Sequence, residues 1–553
     1  MKIIMRKVTL VAMSLMLFAG VFSSCSNSDF LNLKPYTEGD TNNDYYKDKA
    51  NLRASVDALN RFTSEESITG RGYMWLENAS DNMTTGRDQA QATQIKNFTM
   101  GASNGRDWNE NWEIMYQIIA SANELIKATS DLKLTGEDRD FVLGNAYFYR
   151  GLSYLWLAPW HGDDGPNGGI PIITEKTPVR DMDMSRPKSV LANYDQIISD
   201  MDAAAEHLPL LSQQNESDYG RPWKAAAWGL AARAALYAAQ FDQSYYEKVI
   251  VYCDKIMGLS GADKRALYPD ITKLFTAPNN FSSEYIFSFL GSAKVAAGPK
   301  FHGMSGQNGG WGRFNTWGYF APTVELYESF ENGDLRRANT IGIPGDDLTF
   351  LDLNVRIGEP DTKDPKKEKY ELSADTKMLF VKWLSPYRYK RNAGVEYFPN
   401  GNFMCTTLGQ VVVRYADVML MKAEALIWLR GEGNGEAKEL LNAIRTRAGL
   451  PANSHATKAD LKRERRNELA FEFNTPRWMD IMRWRDFDLL RQPLHGFDID
   501  HYLKTYNSQT QKGELKKKEV WAARNFNPEK NKVFPIPQAV IDKSKNLKQN
   551  IGY

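Results

Sequence analysis

Metal-binding and disulfide signatures are missing from this chain. Three cysteines occur in 553 residues, and the two beyond Cys25, Cys253 and Cys405, are too few to staple a chain of this length. Stability must therefore come from a buried core. The six histidines are scattered, and none stands in an HxxxH or CxxC spacing that would seat zinc. A metal enzyme is not expected. Charge of one sign is missing too: 69 basic residues against 68 acidic ones leave a net +1, which excludes the basic field that nucleic-acid binding draws on. No Pro/Ser/Gly-rich linker or long charge run divides the chain after about residue 45, so one intertwined body is expected.

What is present begins with a basic start, Met1-Lys2-Ile3-Ile4-Met5-Arg6-Lys7, followed by an apolar run from Val8 to Phe22 and then Ser23-Ser24-Cys25. The run is too short for a stable membrane span and is followed at once by polar chain, so residues 1–24 are read as a secretory signal. Cys25 at its end resembles a bacterial lipobox, with Phe22 where that motif usually carries Leu. A diacylated Cys25 would hold a soluble domain on a membrane, since each buried CH₂ contributes about 0.8 kcal/mol. Residues 25–45 then serve as tether. Removal of Lys2, Arg6 and Lys7 takes the net charge from +1 to −2.

Helical periodicity is plain in several stretches. Trp108, Trp112, Met115, Ile119, Ala122 and Ile126 recur at spacings of three and four, which places one apolar face on a helix. Phe141, Phe148, Leu152 and Leu155 form a second stripe that stops at Pro159 and the glycines near His161. Ala225 to Met257 reads as an Ala-rich helix, a turn at Phe241-Asp242-Gln243 and a second helix through Tyr246, Val249 and Ile256. Val411 to Gly449 repeats that plan around a Gly431-to-Gly435 turn. Two helical pairs of about 35 residues suggest tetratricopeptide-like hairpins. The middle, from Ala262 to about Asn402, differs: Glu284 to Phe289 reads as a short strand, Gly298 to Phe320 has no helical period, and Asp361 to Glu371 is a charged, solvated excursion. Irregular segments held by a rigid helical frame are where binding residues tend to lie.

Catalytic signatures do not mature. Gly101-Ala102-Ser103-Asn104-Gly105 matches G-x-S-x-G literally, yet the nucleophile elbow needs a strand before it and a parallel sheet around it, and no alternating βα pattern is visible. Adjacent carboxylates such as Glu65-Glu66 or Asp163-Asp164 carry no further mark of glycoside hydrolysis. Asp498-Ile499-Asp500-His501 lacks the ligand number of a calcium loop and reads as a surface turn. The informative stretch runs from Gly309 to Phe320. Trp311, Trp317 and Tyr319 offer flat apolar faces with a polar edge, suited to stacking on the C–H face of a pyranose, while neighbouring polar groups could bond its hydroxyls. Trp75, Asp81, Asn82 and Arg87 mix the same residue types.

These motifs together resemble the SusD/RagB-like glycan-binding lipoproteins of Gram-negative gut and oral bacteria, over nearly the whole chain. The N-terminal half carries Asn111-Trp112 to Tyr116, Ala122-Asn123 to Ile126, Ala146 to Arg150 and Gly168-Gly169-Ile170-Pro171. The C-terminal half carries Val413-Arg414-Tyr415-Ala416-Asp417-Val418, Ala423-Glu424-Ala425, Asn442 to Arg445 with Arg447-Ala448-Gly449-Leu450, Glu464 to Glu472, and the ending Phe534-Pro535-Ile536-Pro537 with Gln549-Asn550 and Gly552-Tyr553. Phe473 to Pro476 and Ile551 depart from the family pattern.

The resemblance implies a mainly α fold over residues 46–553, with tetratricopeptide-like hairpins forming a single large body and a loop-rich, ligand-facing insert at about 262–402. It also implies an outer-membrane, cell-surface location through the Cys25 lipid anchor, and a SusC-like TonB-dependent transporter as partner. Oligosaccharide is bound without cleavage, and no cofactor is expected, with structural calcium left open. By position it points to Trp75, Asp81, Asn82, Arg87, Trp311, Trp317 and Tyr319 as glycan-facing, and it reads Arg445, Glu464 and Arg466 as structural ion pairs. Trp108 and Trp112 are expected in the core. A helical surface glycoside hydrolase, or a peptide-binding scaffold lipoprotein of a peptide importer, are the alternatives from other classes.

Overall fold

The computed structural model describes residues 46, 48–178, 183, 185–291, 298–308, 311, 316–350, 353–384, 407–473 and 476–553. The signal segment, Cys25, the tether and the end of the middle insert at 385–402 lie outside them. The chain falls into two units, Met1–Ala54 and Ser55–Tyr553. Of the first, residues 46 and 48–54 are described, and they enter a helix at Lys49–Ala58. No helix among the described residues is long and apolar enough to cross a membrane.

The second unit is built on long helices: α1 Arg106–Asp131, α2 Gly136–His161, α3 Leu191–His207, α4 Lys224–Ala238, α5 Tyr245–Met257, α6 Tyr415–Arg430, α7 Gly435–Arg447, α8 Lys458–Glu468 and α9 Arg477–Trp484. Each of the first seven packs on its successor, so the hairpins stack in chain order as tetratricopeptide-like pairs. The middle insert interrupts the series between α5 and α6. α4 carries eight Ala in fifteen residues and is buried around most of its circumference, because the methyl side chains let α3 and α5 approach closely. Trp108 and Trp112 are buried on α1, the Trp108 indole donating to the Pro535 carbonyl at 2.8 Å. α2 carries Pro159 inside its last turn and ends at Gly162; so near the terminus the missing N–H costs one bond at most.

The strands form two-stranded antiparallel ladders. β1 Met83–Thr85 pairs with β3 Phe320–Pro322, β2 Tyr285–Phe289 with β8 Gln410–Arg414, β4 Ile341–Gly342 with β7 Leu379–Phe380, β5 Asp347–Phe350 with β6 Leu353–Arg356, and β9 Leu494–Phe497 with β10 Lys517–Trp521. β2 realises the strand expected at Glu284 to Phe289. Between Gly298 and Phe320, where no helical period is visible, a single buried turn of helix forms at Phe301–Ser305. Ser103 sits in a turn ahead of α1, which begins at Arg106, so it does not occupy a strand-to-helix elbow. The Asp498 side chain accepts from the His501 N–H at 3.1 Å and caps a short helix.

The most polar helix of the body is also buried. α8 reads Lys-Ala-Asp-Leu-Lys-Arg-Glu-Arg-Arg-Asn-Glu, yet Glu464, Arg465 and Glu468 are all inside. Ion pairs make this possible. Arg414, at the end of β8, reaches Glu284 at 2.6 Å, Glu468 at 2.7 Å and Glu472 at 2.8 Å. Arg336 reaches Asp334 at 2.7 Å and Glu464 at 2.9 Å, while Arg445 holds Glu464 at 2.5 Å. On the other side of α8, Arg465 bonds Asp417 of α6 at 3.0 Å and Asp480 of α9 at 2.8 Å. Burial would raise the Glu468 carboxyl, but Arg447, Arg414 and Arg336 outweigh it and hold the group well below the usual carboxylate range.

Such a charge web is costly to break from one side, because the partner left behind is buried without compensation. Glu468→Gln is expected to lower stability by about 3–5 kcal/mol, read by chemical denaturation at neutral pH. Because its folded-state pKa is depressed, the stability that Glu468 contributes is present above its ordinary value of 4.5 and lost as the pH falls below it. The variant should therefore lose less on acidification than the parent.

Candidate functional site

Two distant segments are brought together by the β1–β3 ladder, whose register sets Met83 opposite Pro322, Thr84 opposite Ala321 and Thr85 opposite Phe320. The ladder continues one step, with the Gly86 N–H donating to the Tyr319 carbonyl at 3.0 Å. Glycine is required on both sides there. A Cβ on Gly86 would lie 2.2 Å from the Gly318 carbonyl oxygen, and Gly318 has φ +60° and sits against Asn308, a conformation and a closeness that larger residues do not tolerate. The N-terminal segment around Trp75 and Arg87 is thereby fixed against Trp317 and Tyr319 of the insert.

At the junction the side chains organise around Arg71. Its guanidinium lies 5.3 Å from the Trp75 ring centre, 5.0 Å from Tyr319 and 6.0 Å from Trp317, and it donates to the Tyr319 hydroxyl. Glu66 holds it from behind at 2.5 Å. The rings meet edge to face, Trp75 with Tyr319 and Trp317 with Tyr319, each at 5.9 Å. Arg87 also lies 5.0 Å from the Tyr319 ring centre, with long contacts of 3.4 Å to the Asn308 side-chain oxygen and 3.5 Å to the Trp317 carbonyl. Trp75 and Tyr319 are buried, whereas Trp317 and Arg87 are half-buried. The result is an aromatic and cationic stack: the buried Trp75 and Tyr319 rings act as support, and Trp317 and Arg87 are its partly exposed members. Each cation–π contact contributes about 0.5–2 kcal/mol, so the stack is stiff without a ligand.

Four of the seven expected residues therefore meet: Trp75, Arg87, Trp317 and Tyr319. The other three stand outside the stack and, like Trp75 and Tyr319, are buried. Asp81 is buried between Arg477 and Arg466, each at 3.0 Å from a carboxylate oxygen. Burial would raise its carboxyl, but the two guanidinium groups outweigh it and hold it well below the usual range. The Asn82 side-chain oxygen accepts from Arg466 at 2.7 Å. Asp81 neutralises the buried arginines and Asn82 satisfies one of their N–H groups. Trp311 is 6% exposed and packs in the insert core with Leu348, Val355, Ile357 and Leu372. Its indole N–H donates to the Glu371 carbonyl at 3.2 Å, which explains its burial among glycines: the ring is used to plug the insert. Arg71 was not expected at the site. It stands four residues before Trp75, the spacing that puts two side chains on one side of a helical turn, and that spacing could have found it.

A mainly α scaffold of stacked hairpins, with an aromatic and arginine cluster where an irregular insert meets the N-terminal segment, defines the class. The chain belongs to the SusD/RagB-like family. A model described as "SusD family" matches residues 283–553, and one described as "Starch-binding associating with outer membrane" matches residues 29–236. A SusD-like protein of Bacteroides ovatus is 23% identical over 398 residues, 68% of this chain and 65% of that relative. Two crystal structures from Bacteroides fragilis share the fold. A SusD-like protein aligns with a TM-score of 0.73 at 22% identity, covering 93% of this chain and 99% of that one. A SusD-like carbohydrate-binding protein aligns with a TM-score of 0.71 at 20% identity, covering 91% and 100%. Among the described residues no group of three or more His, Cys, Asp or Glu could hold a metal ion.

The two tryptophans of the insert separate by stability. Trp311→Ala is expected to cost about 3–5 kcal/mol, and Trp317→Ala within about 1 kcal/mol, both read by denaturant unfolding. Next to the cluster, burial pushes the Glu77 carboxyl from its ordinary 4.5 up to about 8. A raised folded-state pKa means that the folded chain holds a proton the unfolded one has released, so stability is full below 4.5 and lost as the pH rises toward 8. Glu77→Gln should flatten the fall in melting temperature between pH 5 and pH 8; an unchanged slope would contradict the assignment.

Proposed function

We propose that this chain is a non-catalytic, lipid-anchored surface protein that captures oligosaccharide and passes it to a TonB-dependent transporter of the outer membrane. The observation that carries the reading is the stack Arg71, Trp75, Tyr319, Trp317 and Arg87, in which buried rings hold one half-buried indole and one half-buried guanidinium in fixed positions. A pyranose presents an apolar C–H face and a rim of hydroxyls. An indole face matches the first and a guanidinium edge the second, and pre-ordering lowers the entropy lost on binding. The descriptions of the family model and of the B. fragilis relative, starch-binding and carbohydrate-binding, support the same ligand class. Anchoring through Cys25 would place the stack at the cell surface, where capture without cleavage serves a transporter and cleavage would not be required.

The test is affinity electrophoresis of the chain lacking residues 1–25 in gels containing soluble starch, laminarin, xylan or arabinogalactan, with reducing ends assayed in the same samples. Retardation by one glycan without new reducing ends is expected, and Trp317→Ala and Arg87→Ala should each weaken it about tenfold, a loss of ~1.4 kcal/mol. New reducing ends would contradict the non-catalytic reading. No retardation by any glycan, with binding to a peptide mixture instead, would contradict the ligand class.

A further inference from the structure

Away from the Arg71 stack, the large aromatic side chains that remain exposed among the described residues are two, and they touch. Tyr219 and Phe281 are 42% and 62% exposed, with ring centres 6.0 Å apart. Neither contributes much to the core, and together they form contiguous exposed apolar surface of the kind on which ligands and partners settle. They rim a hollow of about 230 Å³ floored by Trp223, whose indole is locked by donating to the Ile286 carbonyl at 2.6 Å. A second hollow of about 270 Å³ adjoins it, with Tyr219, Arg221 and Ser288 lining both.

The polar groups here are as specific as the rings. Arg221 is clamped by Asp57 at 2.6 Å and Asp218 at 2.9 Å, so its charge is matched and its position fixed while the group stays partly accessible. Ser288 is 8% exposed, and its hydroxyl has no protein partner. The Gln214 side-chain oxygen, lining the first hollow, also has none. Arg221 and Arg265 line the hollows together with the Asp57 carboxylate, and Asp218 pairs with Arg221, so an ion of either sign meets like charge here. An uncharged molecule with an apolar face and many hydroxyls meets none of these objections: it stacks on the rings and bonds the edge of the Arg221 clamp.

We propose that the Tyr219–Phe281 platform, with the two hollows beside it, is a second binding site for neutral oligosaccharide, sharing no residue with the Arg71 stack. The choice of sugar as ligand class rests on the capture reading above. Two sites on one protein would let a single polysaccharide chain be held at two points, so that each rebinds while the other stays engaged.

The experiment measures retention of the mature chain by the same four glycans in three forms: wild type, the first-site variant R87A/W317A, and that variant with Y219A/F281A added. The second pair of rings is exposed, so unfolding temperatures should agree between the last two forms. The expected result is residual retention in R87A/W317A that falls at least tenfold when Y219A/F281A is added. Wild-type retention that vanishes in R87A/W317A alone, or residual retention that survives the added pair, overturns the second site and leaves the first intact. Wild type that no glycan retains overturns the capture reading and the ligand class assigned here with it.

Discussion

Arg414 stands at the seam between the strands of the middle insert and the C-terminal helices, with carboxylates of Glu284, Glu468 and Glu472 all within 3 Å of its guanidinium. Each carboxylate comes from a different place in the chain: the start of β2, the end of α8 and the loop behind it. An arginine fully out of water must be matched by nearby negative charge and by directed hydrogen bonds, so the position of this one group constrains three backbone segments together. The constraint spreads through shared partners. Glu468 also holds Arg447 and Arg336, Glu464 holds Arg336 and Arg445, and Arg465 ties α8 to α6 and α9. Apolar packing stacks the hairpins; the ionic web fixes where the insert lies on them.

That division separates the charged residues by job. Asp81, Asn82, Arg466 and Arg477 continue the web to the segment leading into β1, which explains why polar residues so near the aromatic cluster face inward. Arg71 and Arg87 lie against ring faces, Arg71 while also paired with Glu66. Support and contact are therefore adjacent in sequence yet distinct in environment, and the rigid support permits an open site to keep its shape without a ligand.

Local pattern made the hairpins legible. The Ala-rich run from Ala225 and the Gly431-to-Gly435 turn carry their geometry in three- and four-residue spacings and in turn chemistry, and α4, α5, α6 and α7 lie where those signals place them. α8 was legible only through the family resemblance, since a helix of mean composition so polar looks solvated until its partners are known. The candidate site was half legible. Trp311 and Trp317 stand six residues apart among the same glycines, and only their distant partners, within the insert for Trp311 and in the N-terminal segment for Trp317, make one a core plug and leave the other half-buried. Asp81 and Arg87 diverge for the same reason. Nothing in the local sequence announces the β1–β3 ladder, whose partners are more than two hundred residues apart.

We propose that Trp317 and Arg87, backed by Arg71, Trp75 and Tyr319, form a sugar-stacking surface. A crystal structure of the chain soaked with an oligosaccharide of whichever glycan retards it tests this most directly. The account predicts a pyranose ring lying flat on Trp317, with Arg87 in hydrogen-bond reach of its hydroxyls and the backbone of β1 and β3 unmoved. A bound sugar that leaves Trp317 and Arg87 untouched would contradict it.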